Sequence, residues 1–401
     1  MVGTMSIPKP WHEIGHHEML PQLTHDELVR FDMVGQLNSF AAQRLAPRVR
    51  TAYETRVVNA WRMRHGHAPK DRHEVAEALA PDADYRSWSL VRRNTMEMRQ
   101  HAGRRAMLRQ ARQLRDRAAA LNAGANTLQL DESLPVPRYV SAVDTHLMPG
   151  GYAAEHLQGD VVNPANYDAG LFATVGGSAG RWNDAAGRAL VNWLREQQPQ
   201  FRPKRIVDLG CGVGHNTLPL RAAFPGAEII AIDVAAPMLR YGHARARALG
   251  VEDVLFRQED ATHTSIASGS CDLVYTTMVL HETSHEALPK IMLEAHRLLR
   301  AGGLTIHLEQ PPYRGLEPFE QFMRDWDGRY NNEPFWSALH ETRVPELLER
   351  AGFAPEHIFE SRCSAASAGS AQEDFGRAPS WYAVGAWQTA NGLAAIGEHG
   401  S

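Results

Sequence analysis

The sequence is poor in cysteine and contains no long apolar run. Its three cysteines are scattered through 401 residues, without the paired spacing of a disulfide framework or a zinc site, and this usage fits a reducing compartment. No apolar stretch has the length of a membrane span, and the N-terminus lacks the apolar core of a signal peptide. A formal net charge of −4 gives no general attraction to nucleic acid or anionic membranes. These absences predict a cytoplasmic protein with no membrane association and no metal, and they argue against a nucleic-acid partner.

The chain is long enough for two domains. Residues 1–180 are predicted to form a mainly helical domain that ends in a Gly/Pro-rich connector. Thr24 and Glu27 form a capping-box pattern at the start of its first helix, Gly66 is placed to end a second helix, and a long third helix follows from about Ser87. Residues 181–389 are predicted to form the second domain, and residues 390–401 a disordered tail.

The second domain is predicted to be an α/β fold. Seven short apolar runs alternate, for the most part, with helical patterns, and this alternation favours a parallel sheet with right-handed crossovers. The last run implies an antiparallel final strand. The predicted strands are residues 205–209, 228–233, 254–259, 272–276, 304–309, 358–362 and 381–386.

A glycine-rich segment follows the first of these strands. It runs from Asp208 to Gly214 with the spacing GxGxG, and glycines suit a sharp turn at which a ligand touches the backbone. Asp233 and Asp260 end the second and third predicted strands, where a carboxylate can accept hydrogen bonds from ribose hydroxyls or an adenine amino group. All of these positions lie at the carboxyl edge of the predicted sheet, where open α/β folds bind ligands.

These segments together resemble the class I S-adenosylmethionine-dependent methyltransferases. The matching segments are DLGCGVGHN at 208–216, AIDVAAPML at 231–239, EDA at 259–261, CDLVYTTMVLHE at 271–282 and EAHRLLRAGG at 294–303. The resemblance implies a Rossmann-like, seven-stranded methyltransferase sheet that binds S-adenosylmethionine, with the glycines along the methionine end, Asp233 at the ribose and Asp260 at the adenine. The predicted cofactor-binding residues are Asp208, Gly210, Cys211, Gly212, Gly214, Asn216, Asp233, Val234, Met238, Asp260, Ala261 and Thr276.

Catalytic and substrate residues are expected beyond the fourth and fifth strands. His281 and Glu282 follow the fourth strand, and histidine can accept a proton near neutral pH. An aromatic insertion at residues 313–340 is predicted to form a lid with the helical domain, although the spacing of Phe319, Phe322 and Trp326 equally fits ordinary helix packing. The predicted substrate-binding residues are Tyr152, Tyr167, Glu309, Tyr313, Trp326, Tyr330 and Trp336.

The predicted function is methylation of a hydroxyl or amine on a small, ring-containing metabolite. Residues 86–117 carry ten arginines and two acids, which leaves protein or nucleic-acid methylation as an alternative. A non-catalytic cofactor-binding scaffold, other chemistry at the sulfonium, and a homodimer formed through the helical half also remain open. An HExxH pattern at residues 12–16 is set aside as a zinc site, because Gly15 and two flanking prolines disfavour the stable helix it needs.

Overall fold

The computed structural model describes residues 7–364 and 380–389. The predicted tail at 390–401 lies outside these ranges. Within them, no helix combines the length and the apolar character needed to cross a membrane.

The first two predicted helices form one continuous rod that runs from His25 to His65. The capping box is confirmed, because Thr24 Oγ1 accepts a hydrogen bond from the Glu27 N–H and Glu27 Oε2 accepts one from the Thr24 N–H. Pro47 has no N–H to donate to the preceding turn, and that turn is π-helical. Gly66, at φ 80°, ends the rod as predicted. The rod consists of α1 (His25–Phe40), a π turn (Ala41–Leu45), α2 (Ala46–Ala52), a second π turn (Tyr53–Val57) and α3 (Val58–His65).

The predicted third helix is divided into two. It breaks at Gln110, whose φ of −123° is not helical, and the apolar stripe on both sides of the break is largely buried. The helices of this region are α4 (Arg72–Leu79), α5 (Ala83–Arg109) and α6 (Ala111–Asn122).

The connector contains a buried helix that its composition did not predict. Pro164 is tolerated because it lies in the first helical turn, where N–H groups have no intrahelical partner. Burial between α1, α5 and the second half of the chain then stabilises this helix, which is an example of tertiary packing overriding local propensity. The elements here are 3₁₀ turns at Trp11–Glu13 and Thr145–Leu147, β1 (Leu128–Gln129), α7 (Arg138–Ser141) and α8 (Val162–Thr174).

Seven strands follow β1: β2 (Arg205–Leu209), β3 (Glu228–Asp233), β4 (Val254–Gln258), β5 (Cys271–Thr277), β6 (Leu299–Glu309), β7 (Ile358–Ser364) and β8 (Ser380–Trp387). Together they form one sheet in the order β1-β4-β3-β2-β5-β6-β8-β7. All seven predicted strands are present, and the two-residue β1 adds an eighth from the first half of the chain. Strand β8 is antiparallel to both β6 and β7, and the other pairs are parallel.

Helices cover the sheet, and the insertion folds as two more helices. The helices are α9 (Ala185–Gln197), α10 (Thr217–Ala223), α11 (Ala236–Ala248), α12 (Ala287–Leu298), α13 (Pro318–Tyr330), α14 (Trp336–Glu341) and α15 (Val344–Arg350), with 3₁₀ turns at Leu280–Glu282 and Pro355–His357. Helices α13 and α14 belong to the predicted insertion at 313–340.

The two halves of the chain share hydrophobic clusters. Phe31 and Phe172 from the helical half pack in one cluster with Met238 and Tyr241 of α11. A second cluster joins the insertion helix α13 to the helical half, with Trp88 among its members. Two hydrophobic clusters therefore cross the proposed boundary at residue 180, whereas two others have all their buried members in the second half.

Candidate active site

The glycine-rich loop leaves β2 and turns tightly into α10. Gly210 and Gly212 have φ of 81° and 54°, a region that favours glycine. A Cβ at Gly210 would approach Val279 Cγ2 to 2.7 Å, whereas a Cβ at Gly212 would meet no described atom within 4 Å. The close contact explains the first glycine, and the open space at the second leaves the backbone accessible to a ligand.

Asp233 connects this loop to the end of β3. Its Oδ2 accepts a hydrogen bond from the Gly212 N–H at 2.9 Å, and its Oδ1 accepts one from the Ala235 N–H at 2.9 Å. Burial raises the pKa of the Asp233 carboxyl, and the backbone hydrogen bonds partly oppose this rise. Each carboxylate oxygen still has a lone pair that can accept from a sugar hydroxyl.

One cavity of about 320 Å³ brings both parts of the predicted site together. It is lined by the glycine-rich loop and by the ends of β3, β4 and β5, and also by α7, α8 and the insertion. The predicted residues that line it are Gly210, Cys211, Gly212, Asn216, Asp233, Val234, Met238, Asp260, Ala261, His281, Glu282, Tyr152, Tyr167 and Trp336.

His281 is buried and has a fixed tautomer. Its Nδ1–H donates to Glu309 Oε2 at 2.8 Å, and Glu309 Oε1 accepts from the Leu280 N–H at 2.6 Å. The other ring nitrogen, Nε2, lies 3.7 Å from Glu282 Oε1 and 3.8 Å from Glu333 Oε2. Burial alone would lower the pKa of His281, but Glu309 and the two other carboxylates raise it to about 9.

Glu282 is held by two groups from the helical half. Its Oε1 accepts from the Tyr152 hydroxyl at 2.8 Å and lies 3.2 Å from His146 Nε2. Burial raises the pKa of Glu282, but the interactions with His146 and His281 outweigh that effect and leave it below its ordinary value. The 3₁₀ turn after β5 therefore presents an anionic group to the cavity.

Three predicted cofactor residues lie behind the cavity wall, outside its lining. Asp208 accepts hydrogen bonds from the Thr217 and Tyr275 hydroxyls at 2.6 and 2.9 Å, and burial raises its pKa to about 7. Gly214 packs against Phe256, and Thr276 bonds His307 within the sheet. Successive side chains of a strand point to opposite faces. Thr277 therefore lines the cavity, whereas Thr276 points away from it.

Four predicted substrate residues also lie outside the cavity lining. Glu309 supports His281 from behind. Tyr313 donates to Asp325 Oδ1 at 2.7 Å and stacks on His340. Trp326 packs edge-on against Trp88, and its indole N–H donates to Ser89 Oγ at 2.8 Å. Tyr330 is 37% exposed and lies against Trp326, so these aromatic rings follow the helix-packing alternative.

Several cavity residues were missed from the sequence. His146 and Glu333 lie opposite the 3₁₀ turn of His281 and Glu282. Tyr139 also lines the cavity, and burial together with the nearby Asp260 raises its pKa to about 12. None of these residues belongs to a recognisable motif, although Glu333 stands among the aromatic residues of the insertion.

A buried carboxylate joins the helical half to the glycine-rich loop. Asp168 in α8 accepts hydrogen bonds from His215 Nε2 at 2.7 Å, His17 Nε2 at 3.1 Å and the Tyr241 hydroxyl at 2.8 Å. Arg245 Nε lies 3.5 Å away. Although burial raises the pKa of Asp168, Arg245 and the histidines leave it well below its usual value.

The HExxH segment does not form the helix that a zinc site of this pattern needs. Its 3₁₀ turn ends at Glu13, and Ile14 has extended backbone with ψ 148°. His12 and His16 are therefore not presented on one helical face.

Comparisons with known proteins match part of the second half to a known family. Residues 206–303 match a family described as a methyltransferase domain. The demethylmenaquinone methyltransferase of Thermus thermophilus is 37% identical over 110 residues, which are 27% of this chain and 49% of that protein. A malonyl-[acyl-carrier protein] O-methyltransferase of Methylococcus capsulatus is 36% identical over 29% of this chain and 40% of its own. The norajmaline N-methyltransferase of Rauvolfia serpentina is 28% identical over 43% of this chain and 58% of that protein.

The chain spans about half the length of these curated relatives. Among solved structures, phosphoethanolamine N-methyltransferase 2 of Haemonchus contortus with S-adenosyl-L-methionine aligns with a TM-score of 0.38. It is 16% identical over 50% of this chain and 52% of that one.

Residues 206–303 of this chain therefore belong to a class I S-adenosylmethionine-dependent methyltransferase domain. Its cofactor is S-adenosylmethionine, and the open backbone at Gly212 and the carboxylate of Asp233 fit that group.

Proposed function

We propose that this chain transfers a methyl group from S-adenosylmethionine to a hydroxyl or an amine of a small organic molecule. The observation that carries the proposal is a single cavity lined by the glycine-rich loop with Asp233 and Asp260, and also by His281 and Glu282. A cofactor and an acceptor bound there would be neighbours, which is the first requirement of a displacement reaction.

The cofactor supplies an electrophilic methyl group on a sulfonium. In the proposed site, Asp233 accepts from the ribose hydroxyls and Asp260 binds the adenine amino group. The backbone of residues 210–212 contacts the methionine portion. The deeply buried Asp208 holds α10 and β5 together through Thr217 and Tyr275, so it shapes the loop from behind.

The acceptor group is proposed to lie against His281 and Glu282. Glu309 fixes the His281 tautomer, so Nε2 is the atom that accepts a proton from a bound hydroxyl or amine. A pKa of about 9 keeps most of this imidazole protonated at neutral pH. His281 therefore works as a base only when the charge of the surrounding carboxylates is compensated by what binds in the cavity.

The shape and lining of the cavity support a small, ring-containing acceptor. Tyr152 and Tyr167 meet edge to face at 5.8 Å, and Trp336 stands edge-on to the His281 ring at 5.0 Å. Aromatic walls with a few polar groups are typical of sites for small organic ligands. The names of the demethylmenaquinone and norajmaline methyltransferases also refer to small organic acceptors.

The arginine-rich segment supports the same choice over a macromolecular substrate. Arg92 pairs with Asp327 at 3.0 Å and stacks on Trp326. Arg109 pairs with Glu27 at 2.7 Å, and Arg117 donates to the Glu18 carbonyl at 2.6 Å. Arginines already used in contacts within the chain contribute less to binding an external polyanion.

The cytoplasmic location and a homodimer remain part of this proposal. The three cysteines are unpaired and buried, as expected in a reducing compartment.

A labelling experiment tests the function. The full chain would be incubated with S-adenosylmethionine carrying a tritiated methyl group and with a cell extract. The products would then be separated into small molecules, protein and nucleic acid. Label should enter the small-molecule fraction with the wild type, and it should be lost with Asp233→Ala. Label in protein or nucleic acid would contradict the proposal, as would a wild type that binds the cofactor but transfers nothing to any fraction.

A further inference from the structure

The cavity contains a cluster of metal-ligating side chains that methyl transfer alone does not require. His146, Glu282 and Glu333 each place one ligand atom within 4.8 Å of the others. They come from the 3₁₀ turn before the connector glycines, from the turn after β5, and from the segment between α13 and α14. The fold thus brings three distant parts of the chain to one point.

Glu333 provides an independent sign that a cation belongs there. Its side chain is 1% exposed and lines the cavity. Its Oε1 contacts His146 Nδ1 at 2.8 Å, but no described group forms a hydrogen bond with Oε2. The His281 Nε2 at 3.8 Å lies beyond hydrogen-bond distance. A buried carboxylate oxygen that accepts no hydrogen bond is costly, and a bound cation reduces that cost.

His146 is held in an uncommon conformation that aims its ring at the two carboxylates. Its backbone is left-handed, with φ 55° and ψ 28°, and Gln100 donates to its carbonyl at 2.7 Å. Its Nδ1 lies 3.2 Å from Asn331 Nδ2 and 2.8 Å from Glu333 Oε1, and its Nε2 lies 3.2 Å from Glu282 Oε1. Loss of the proton from the nitrogen that faces the ion frees that nitrogen as a metal ligand.

The spacing and chemistry of these atoms define the class of ion. Metal bonds of about 2.0–2.2 Å to nitrogen and oxygen place neighbouring ligands near the separation between His146 Nε2 and Glu282 Oε1. One imidazole with two carboxylates suits Mn²⁺, Fe²⁺ or Zn²⁺ better than Ca²⁺ or Mg²⁺, which prefer oxygen alone. We propose that His146, Glu282 and Glu333 bind one divalent transition-metal ion, with Glu333 Oε2 as a ligand.

The ion would leave coordination positions open toward the cavity. An oxygen or nitrogen of the acceptor can fill such a position, which polarises it and fixes its direction. His281 lies beside the ion as a separate group, supported by Glu309. This role in catalysis rests on the proposed methyl transfer, whereas binding of the metal does not.

The test is metal binding by the full chain after treatment with a chelator. Isothermal titration calorimetry with MnCl₂ and ZnCl₂ should show one site per chain, and MgCl₂ should bind at least tenfold more weakly. Glu333→Gln, which keeps the shape of the side chain, should weaken Mn²⁺ and Zn²⁺ by at least tenfold. Glu286→Gln is the matched control, because Glu286 is exposed on the turn that follows Glu282, and it should bind like the wild type.

Each protein would also be titrated with S-adenosylhomocysteine, which reports the fold and the cofactor site without activity. Equal metal affinity in the wild type and Glu333→Gln would overturn the metal site, as would absence of stoichiometric binding in the wild type. If Glu333→Gln loses both ligands, His146→Gln takes its place and must lose the metal while keeping S-adenosylhomocysteine. Failure of the wild type to bind S-adenosylhomocysteine would count against the proposed function instead.

Discussion

Replacing Asp168 with asparagine should weaken both the fold and cofactor binding. The side chain of Asp168 is 1% exposed and accepts hydrogen bonds from His17, His215 and Tyr241. The side chain of Arg245 is 2% exposed, and its Nε lies 3.5 Å from Asp168 Oδ2. Asparagine keeps the size of the residue but removes the negative charge that compensates the buried guanidinium.

The expected loss is about 3–5 kcal/mol in the free energy of unfolding, the usual effect of removing one partner of a buried ion pair. This loss already includes the hydrogen bonds to Asp168, because contacts around one carboxylate are coupled. His215 belongs to the loop that precedes α10. We therefore also expect affinity for S-adenosylhomocysteine to fall by about tenfold, equivalent to about 1.4 kcal/mol.

The sign of the pH dependence follows from the depressed pKa of Asp168. A carboxylate whose pKa is lower in the folded state stabilises the fold above its ordinary pKa of about 3.9. That contribution disappears as the pH falls through the folded-state value. The difference in stability between wild type and Asp168→Asn should therefore be largest near neutral pH and should shrink at acidic pH.

Urea denaturation followed by tryptophan fluorescence measures the loss, since the chain has nine tryptophans. Asp253→Asn is the control, because Asp253 forms an exposed ion pair with Arg221 at 2.7 Å and such pairs contribute about 0–1 kcal/mol. A loss of less than about 1 kcal/mol in Asp168→Asn, similar to the control, would refute the reasoning that this carboxylate compensates a buried charge.

Three further predictions concern single carboxylates and the candidate base. Asp233→Ala should weaken S-adenosylhomocysteine binding by roughly ten- to a hundredfold, since a charge-assisted hydrogen bond is worth about 1.5–3 kcal/mol; unchanged calorimetric affinity would remove Asp233 from the cofactor site. His281→Ala should lower turnover by about 10²–10⁴ with S-adenosylhomocysteine affinity nearly unchanged, and a near-normal rate would leave it a packing role only. Asp208 has a pKa raised to about 7, so the folded state loses stability as the pH rises from about 4 to 7. Asp208→Asn should not show this loss, and parallel urea curves for both proteins across that range would contradict the burial argument.

The sheet could be predicted because its strands are short apolar runs bounded by residues typical of turns. The apolar runs of the sequence predict all of the strands β2 to β8. Helix α8 was missed because Asn163 and Pro164 disfavour a helix locally. Its stability comes from burial against α1, α5 and α11, which no local pattern reveals.

The residues of the candidate site also differ in whether a local sequence motif predicts them. Positions fixed by a motif, such as Gly212, Asp233 and His281, were placed at the cavity from the sequence. His146 and Glu333 reach it only through tertiary packing of the connector and the insertion, so spacing along the chain carries no sign of them. Thr276 shows a third limit of prediction from sequence. Because side chains alternate between the two faces of a strand, an error of one residue selects a side chain that points away from the ligand.

Two adjacent residues of α8 explain why the helical half should matter for both ends of the site. Asp168 holds His215 in the segment that enters α10. Its neighbour Tyr167 stacks on the His215 ring at 5.7 Å and meets Tyr152 edge to face, and the Tyr152 hydroxyl bonds Glu282. One continuous set of contacts thus runs from the cofactor side of the cavity to the acceptor side. If this set carries the coupling, Asp168→Asn should lower turnover at saturating cofactor as well as cofactor affinity. A defect that saturating cofactor fully restores would confine the role of α8 to the cofactor side.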